Sequence, residues 1–466
     1  MFMVAQVKVP RITIIATRLR HYFRNMECQD LQPPATVRGM QELQRERFQK
    51  SVQVPRLRLP ESQVQRVMPL VKKLLLKMEH LHPVRAVDQS REILLHPTPV
   101  KDWESLPTEE LLKQEVTQEH FSFAELELSY ENWSASEILK SVLPADEEGL
   151  TSYSRIGHIV HLNLRDHLLP YKQLIGQVLL DKLPNCRTVV NKAASIDNTY
   201  RNFQLELICG EAVYQVETKE NGVPFEFDFS KVYWNPRLST EHERIVKILK
   251  SSDVLYDVFA GVGPFSVPAA KKRCHVLAND LNPVSYHWLQ HNAKRNKCLA
   301  HIKMFNKDGR QFIVEELRED LLKRLLTTDT SSNAIHITMN LPALAVEFLD
   351  AFRGLYKVED LAELPENVVY PTVHVYSFAK GENTKVLVQE LAEKHLGANL
   401  DDSLLQGISF VRNVAPNKDM YRVSFRLSHQ LLTTSKEEFL TRKRCAQEDD
   451  VLESDLQNTA NKVKCV

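Results

Sequence analysis

The 466-residue chain contains no uncharged apolar run near the roughly 18–20 residues that a helix needs to cross a bilayer, and its mean hydropathy is −0.32. No membrane partner is expected. Cysteine is sparse and unpaired: Cys28, Cys186, Cys209, Cys274, Cys298, Cys445 and Cys465 are odd in number and scattered, with no close pair. That argues against both a disulfide framework and a zinc site, so no metal is expected, and it fits a reducing compartment. Net charge is also lacking, since 60 Lys/Arg balance 60 Asp/Glu. Taken whole, the charge says nothing in favour of a nucleic-acid partner. There is no internal repeat. What remains, 43% hydrophobic and 26% charged residues, is ordinary for a globular chain long enough for two or three domains.

The distribution of charge says more than its sum. Residues 231–310 carry fourteen Lys/Arg, among them Lys271, Lys272, Arg273, Lys294, Arg295 and Lys297, against six Asp/Glu, a local excess of +8. Clustering of this kind attracts phosphates or solvates a helix face. Up to Met26 the chain has five basic residues (Lys8, Arg11, Arg18, Arg20, Arg24) and no acid. The stretch "RITIIATRLRHYF" can be drawn as an amphipathic helix. Basic, acid-free and amphipathic is the signature of a mitochondrial transit peptide.

Residues 30–60 are polar and rich in Pro, Arg and Gln, and read as linker. "ESQVQRVMPLVKKLLLKMEH" then has helical periodicity, "HIVHLNL" alternates in strand fashion, and "YKQLIGQVLLDKL" reads as a helix between strands. "FQLELICGEAVYQVETKENGVPFEFDF" predicts strands with a hairpin turn at Asn221–Gly222. From Val254, apolar strands alternate with helical stretches: VLYDVFA, HVLAND, HIKMFN, AIHITMN and TVHVYSF, with MYRVSFRL as the last strand. This spacing implies a parallel sheet covered on both faces.

In such a sheet ligands sit outside the carboxyl ends of the strands. The loop Ala260-Gly261-Val262-Gly263 lies at one of these ends, just after Asp257, and its glycines let backbone approach a ligand. A dinucleotide fingerprint would carry a third glycine where Ser266 stands. Asp280, ending the next strand, can accept both hydroxyl protons of a ribose, which either a dinucleotide or S-adenosylmethionine supplies. Asp308-Gly309 follows HIKMFN, where an acid or amide can read an adenine amino group. Asn340-Leu341-Pro342 follows AIHITM and puts an amide and a stiff turn beside the loop. Such an Asn-x-Pro sequence can hold a nucleobase flat, which a nucleobase methyltransferase needs and a dehydrogenase does not.

The stretches "FQLELICGE", "KVYWNPRLSTEHERI", "DVFAGVGPFSVPAA", "ANDLNP" and "MNLPALAVEFLDAF", in this order, resemble the eukaryotic/archaeal tRNA (guanine(37)-N1)-methyltransferase family over roughly residues 120–430. The resemblance implies an α/β fold: a Rossmann-like class I methyltransferase domain with smaller α+β N-terminal domains. Pattern and resemblance together divide the chain into a transit peptide and polar linker (1–57), an N-terminal tRNA-contacting domain (58–118), a small α+β domain (119–190), the methyltransferase domain (191–430), and a charged tail expected to be disordered (431–466).

At neutral pH the N1 of guanine carries a proton, so methylation there needs a base near N1 and a cation near O6. The resemblance assigns the base to Glu241, the O6 contact to Arg201, and orientation of the guanine to Asn340 and Pro342. It implies contacts to S-adenosylmethionine from His242, Asp280, Leu281, Asp308, Gly309 and Asn340, joined by the strand end and loop residues Asp257, Gly261 and Gly263. Tyr233 and Arg237 fall in the matched motif as support for the site or the RNA. As bare sequence features, Glu241 would also complement a helix dipole and Asn340 would also cap the helix expected near Ala343. Cys274 and Cys298 lie on the wrong elements for a nucleophile, which disfavours carbon-5 pyrimidine methylation.

The expected protein is therefore a monomeric tRNA-modifying enzyme, working in the mitochondrial matrix and also in nucleus and cytoplasm. Three other readings stay open from the sequence. They are a wybutosine-pathway aminocarboxypropyl transferase on the same fold, an NAD-dependent oxidoreductase, and a non-catalytic RNA-binding protein.

Overall fold

The computed structural model describes residues 31–150, 152–193, 204–327, 333–365 and 368–434. The basic leader to Met26, most of the charged tail and Arg201 lie outside the described residues. The described residues fall into two compact units, one drawn from 31–150, 152–154, Ile159–Lys192 and Glu206–Ala212, the other from Arg155–His158, 193, 204–205, 213–327, 333–365 and 368–434.

The first unit contains an antiparallel sheet of β1 (Lys50–Pro60), β2 (Val84–Val87), β3 (Ser90–Leu94) and β4 (Phe121–Leu128), in the order β2-β3-β1-β4. β1 falls within the stretch expected to be linker. Its apolar residues change faces at Pro55–Arg56: Val52 and Val54 join a core with Phe48 and Trp133, while Leu57 and Leu59 join one with Val67 and Trp103. That change of phase, with arginines interleaved, breaks the period-2 pattern that would have announced a strand. Arg56 and Arg85 are ion-paired to the buried Glu92. Helices α1 (Glu61–Val71), α2 (Thr108–Leu112), α3 (Ala135–Val142) and α4 (Lys172–Lys182) complete this unit, α1 ending two residues after Pro69. After the short β5 (Ser154–Ile156) come β6 (Ile159–Leu162) and β7 (Thr188–Lys192), which pair in parallel, with β8 (Leu205–Gly210) on the far side of β7. Ile208 of β8 packs directly on Gly176 of α4, leaving no space there for a Cβ.

The second unit begins with the hairpin β9 (Gln215–Glu220)–β10 (Val223–Asp228). Asn221 (φ 48°) and Gly222 (φ 83°) both turn left-handed, as an Asn-Gly hairpin requires. Its main sheet comprises β11 (Val254–Asp257), β12 (His275–Asn279), β13 (Ile302–Phe305), β14 (Ile335–Met339), β15 (Thr372–Lys380), β16 (Leu405–Ala415) and β17 (Lys418–Arg426), in the order β13-β12-β11-β14-β15-β17-β16. β11 to β15 run parallel, while β17 is antiparallel to β15 and to β16. The interleaved helices are α5 (Ser239–Ile248), α6 (Ser266–Lys271), α7 (Pro283–Arg295), α8 (Gly309–Phe312), α9 (Arg318–Leu326), α10 (Thr384–Leu396) and α11 (His429–Thr433).

The Rossmann-like expectation holds, with one addition. β16 is an edge strand interrupted by three register shifts, and its mostly half-exposed side chains gave the sequence no clean alternation. Tyr256, Ile337, Met339, Val373, Val375 and Phe425 are fully buried at the sheet. The strand order reverses between β11 and β14, so a crevice opens at their carboxyl ends. Among the described residues no helix is long and apolar enough to cross a membrane.

Candidate active site

The loop after β11 uses its two glycines differently. Gly263 (φ 98°) packs inward: a Cβ there would stand 2.7 Å from Leu289 Cδ1 and from Val267 Cγ2. Gly261 (φ 56°) faces open space, with nothing within 4 Å of an added Cβ. Its N–H donates to Asp280 Oδ2 at 2.8 Å, and the Asn282 N–H donates to Asp280 Oδ1 at 2.9 Å. The acid at the end of β12 thus draws the glycine turn against itself, and each oxygen keeps a lone pair for a ligand. Desolvation in this crevice pushes the Asp280 carboxyl up to about 6. Asn306 Nδ2 bonds the carbonyl oxygens of Asp280 and Leu281 and fixes the strand end from behind, while the Leu281 side chain is exposed.

Asp257 departs from the ligand contact expected of it. It is fully buried and accepts from Ser266 Oγ at 2.5 Å and Thr338 Oγ1 at 3.0 Å, tying β11 to α6 and β14 beneath the loop. Burial pushes its carboxyl up to about 6 from a usual 3.8. An acid whose folded pKa is raised costs stability once ionised. The penalty is absent below about pH 3.8, grows as pH rises, and is complete above about 6, at roughly 3 kcal/mol. Asp257→Asn should therefore gain on the parent chain by about that amount between pH 4 and pH 7. Urea unfolding across this range checks it, and a difference independent of pH would refute it.

At the end of β13, Asp308 caps α8, its Oδ1 accepting from the N–H groups of Arg310 (2.9 Å) and Gln311 (3.4 Å). A Cβ on Gly309 would lie 2.8 Å from Phe259 Cε1 and 3.3 Å from Phe348 Cε1, so the two rings, packed edge to face, require glycine.

Glu241 and His242 lie in the first turn of α5 and are only 3% and 4% exposed. Glu241 Oε1 accepts from Tyr376 Oη at 2.9 Å and Arg422 Nη1 at 2.7 Å, and Oε2 accepts from Arg244 Nη1 at 2.5 Å. His242 Nδ1 is 2.6 Å from Glu220 Oε1, and its ring meets Phe265 edge-on at 4.7 Å. Glu220 ends β9 at the hairpin turn, and its other oxygen is buried without a partner among the described residues. Dipole complementation alone would leave Glu241 exposed, whereas here it is enclosed.

Asn340 follows Met339, which is level with Val375 on β15, the residue before Tyr376. Its Oδ1 is buried and has no partner among the described residues. It does not cap a helix. The next helical turn begins at Ala345, with Leu344 preceding it, and Pro342 sits inside the turn closed by the Leu344 and Ala345 N–H groups on the Leu341 carbonyl. The structure thus gathers Glu241, His242, Asp280, Gly261, Asp308, Gly309 and Asn340 around the carboxyl edge of one sheet within a single unit. Tyr376, Arg422 and Glu220, which sequence reading missed, belong to the same cluster. The open space over Gly261, the lone pairs of Asp280 and the partnerless Asn340 Oδ1 fit a nucleoside-bearing cofactor.

Residues 135–213 match the TYW2 N-terminal domain and residues 216–362 match the TRM5/TYW2 methyltransferase domain. The chain is 80% identical over 466 residues to the tRNA (guanine(37)-N(1))-methyltransferase of Drosophila melanogaster, covering all of both chains. It is 46% identical over 400 residues to the Mus musculus protein of the same name, covering 85% of this chain and 79% of that one. Among solved structures, Trm5b from Pyrococcus abyssi is similar in fold, with a TM-score of 0.54 and 23% identity over 80% of this chain and 99% of that one. A relative 80% identical from end to end, together with a methyltransferase-domain match that spans this chain's glycine loop and strand ends, makes this chain a member of the tRNA (guanine(37)-N(1))-methyltransferase family.

Proposed function

We infer that this protein transfers a methyl group from S-adenosylmethionine to N1 of guanosine 37 of tRNA, just 3′ of the anticodon. The observation that carries the chemistry is the buried Glu241 carboxylate bonded to Tyr376 of β15, together with the Asn340 Oδ1 at the end of the neighbouring β14, which is buried without a partner among the described residues. S-adenosylmethionine, when bound, supplies an electrophilic methyl on a sulfonium. Asp280, Leu281, His242, Asp308, Gly309, Asn340 and the turn at Gly261 and Gly263 would hold it.

Glu241 takes the N1 proton of guanine, and the negative charge that collects on O6 is met by the guanidinium of Arg201. Asn340 accepts from the base and Pro342 stiffens the turn on which that amide rides. The target base must leave its stack to reach the crevice, at a cost of a few kcal/mol. A cysteine nucleophile plays no part: burial pushes the Cys274 and Cys298 thiols up to about 11, and both donate to backbone carbonyls.

Incubation with labelled methyl donor and tRNA transcripts carrying G or A at position 37 tests this reading. Label is expected only in the G transcript, with the product mass of a methyl group. Equal labelling of both transcripts, or the mass of an aminocarboxypropyl group, would overturn it.

A further inference from the structure

The donors that hold Glu241 are not equally fixed. Tyr376 and Arg422 are register partners on β15 and β17, and Ser409 on β16 is the partner of Arg422 in turn. Arg422 Nη2 donates to Ser409 Oγ at 3.2 Å while Nη1 holds Glu241 Oε1, so one polar row crosses three neighbouring strands and ends on that oxygen. Tyr376 is fully buried and the Arg422 side chain is 12% exposed. Arg422 cannot swing away cheaply, because a buried guanidinium without its carboxylate is an uncompensated charge. Arg244 is different. It lies one turn along the same helix, its side chain is 42% exposed, and a solvated i,i+3 contact of this kind is weak.

We propose that Oε1 is the anchored oxygen of Glu241 and Oε2 the one that takes the proton, with Arg244 covering Oε2 until guanosine displaces it. While Arg244 Nη1 donates to Oε2, that oxygen has one acceptor position fewer for the guanine N1–H, and departure of the guanidinium opens it. When the purine enters, the N1–H bond breaks and leaves its electron pair on N1, an Oε2–H bond forms, and Tyr376 and Arg422 stay on Oε1. The proton later leaves Oε2 for water. Tyr376 and Arg422 are thus positioning residues and Arg244 a displaceable cover. The inference rests on Glu241 being the base.

Single-turnover methyl transfer with saturating tRNA transcript, in the full chain, separates these roles, with calorimetric binding of S-adenosylmethionine reporting that each variant is folded. Arg422→Gln should slow transfer about 10- to 100-fold, as loss of a hydrogen bond to a charged group does. Arg422→Lys should recover part of it, and Tyr376→Phe should slow transfer with β17 untouched. Arg244→Ala should speed it by up to about fivefold, the worth of an exposed ion pair. In a Glu241→Gln background neither arginine change should matter further. No rise in Arg244→Ala, or an undiminished effect of Arg422→Gln in that background, overturns the assignment of the two oxygens. If Glu241→Gln alone keeps the parent rate, the base itself has been misidentified.

Discussion

Glu241→Gln is expected to slow methyl transfer by about 10²–10⁴ while leaving S-adenosylmethionine binding nearly intact, the usual worth of a positioned base. Glutamine is the informative replacement. It keeps an oxygen acceptor for Tyr376 Oη and Arg422 Nη1, which approach one oxygen at 2.9 and 2.7 Å, and replaces the proton-accepting oxygen by an amide nitrogen that faces the exposed Arg244. Alanine would also leave the buried Arg422 guanidinium facing a void, with a stability loss of about 3–5 kcal/mol that would blur the reading. Labelled-methyl single turnovers and cofactor titration by calorimetry give the two numbers. A parallel fall in both would show that Glu241 holds the fold or the cofactor and does not remove the proton.

Asp280→Ala is expected to do the reverse, raising the dissociation constant for S-adenosylmethionine by about 10²-fold or more while tRNA binding stays unchanged. Two N–H groups, those of Gly261 and Asn282, lose their acceptor together. Each hydrogen bond to a charged group contributes about 1.5–3 kcal/mol. The turn at Gly261 then has nothing to draw it against the strand, and the carboxylate that would meet the ribose is gone as well. Asp280→Asn should fall between, since one carbonyl oxygen serves only one of the two donors. An unaltered dissociation constant would remove Asp280 from the cofactor site. Together the two variants separate proton removal from cofactor capture.

What could be read in advance was local in the chain. The alternation of strands and helices from Val254, the glycines after Asp257, the acid at 280 and the Asn-Gly turn each announce themselves within a few residues, and the structure carries them all. What escaped depends on pairing between distant segments. Tyr376 and Arg422 look like interruptions in apolar strands, 135 and 181 positions from Glu241, and only the register of β15 with β17 reveals a shared purpose. Asp257 sits in a motif that suggests ligand contact, yet a side chain with no exposure can act only through Ser266 and Thr338. β1 and β16 went unseen for related reasons: one changes faces midway, the other is a bulged edge.

The passage of β8 beside Gly176 bears on how the polypeptide is made. Synthesis proceeds from the N-terminus, and domains generally begin to fold as they emerge. The first unit recruits Glu206–Ala212 after the chain has already visited the second, so it stays one strand short until Ala212 has cleared the ribosome. Until then the nascent chain carries the bare face of α4 that Ile208 later covers, an apolar surface for chaperones to shield.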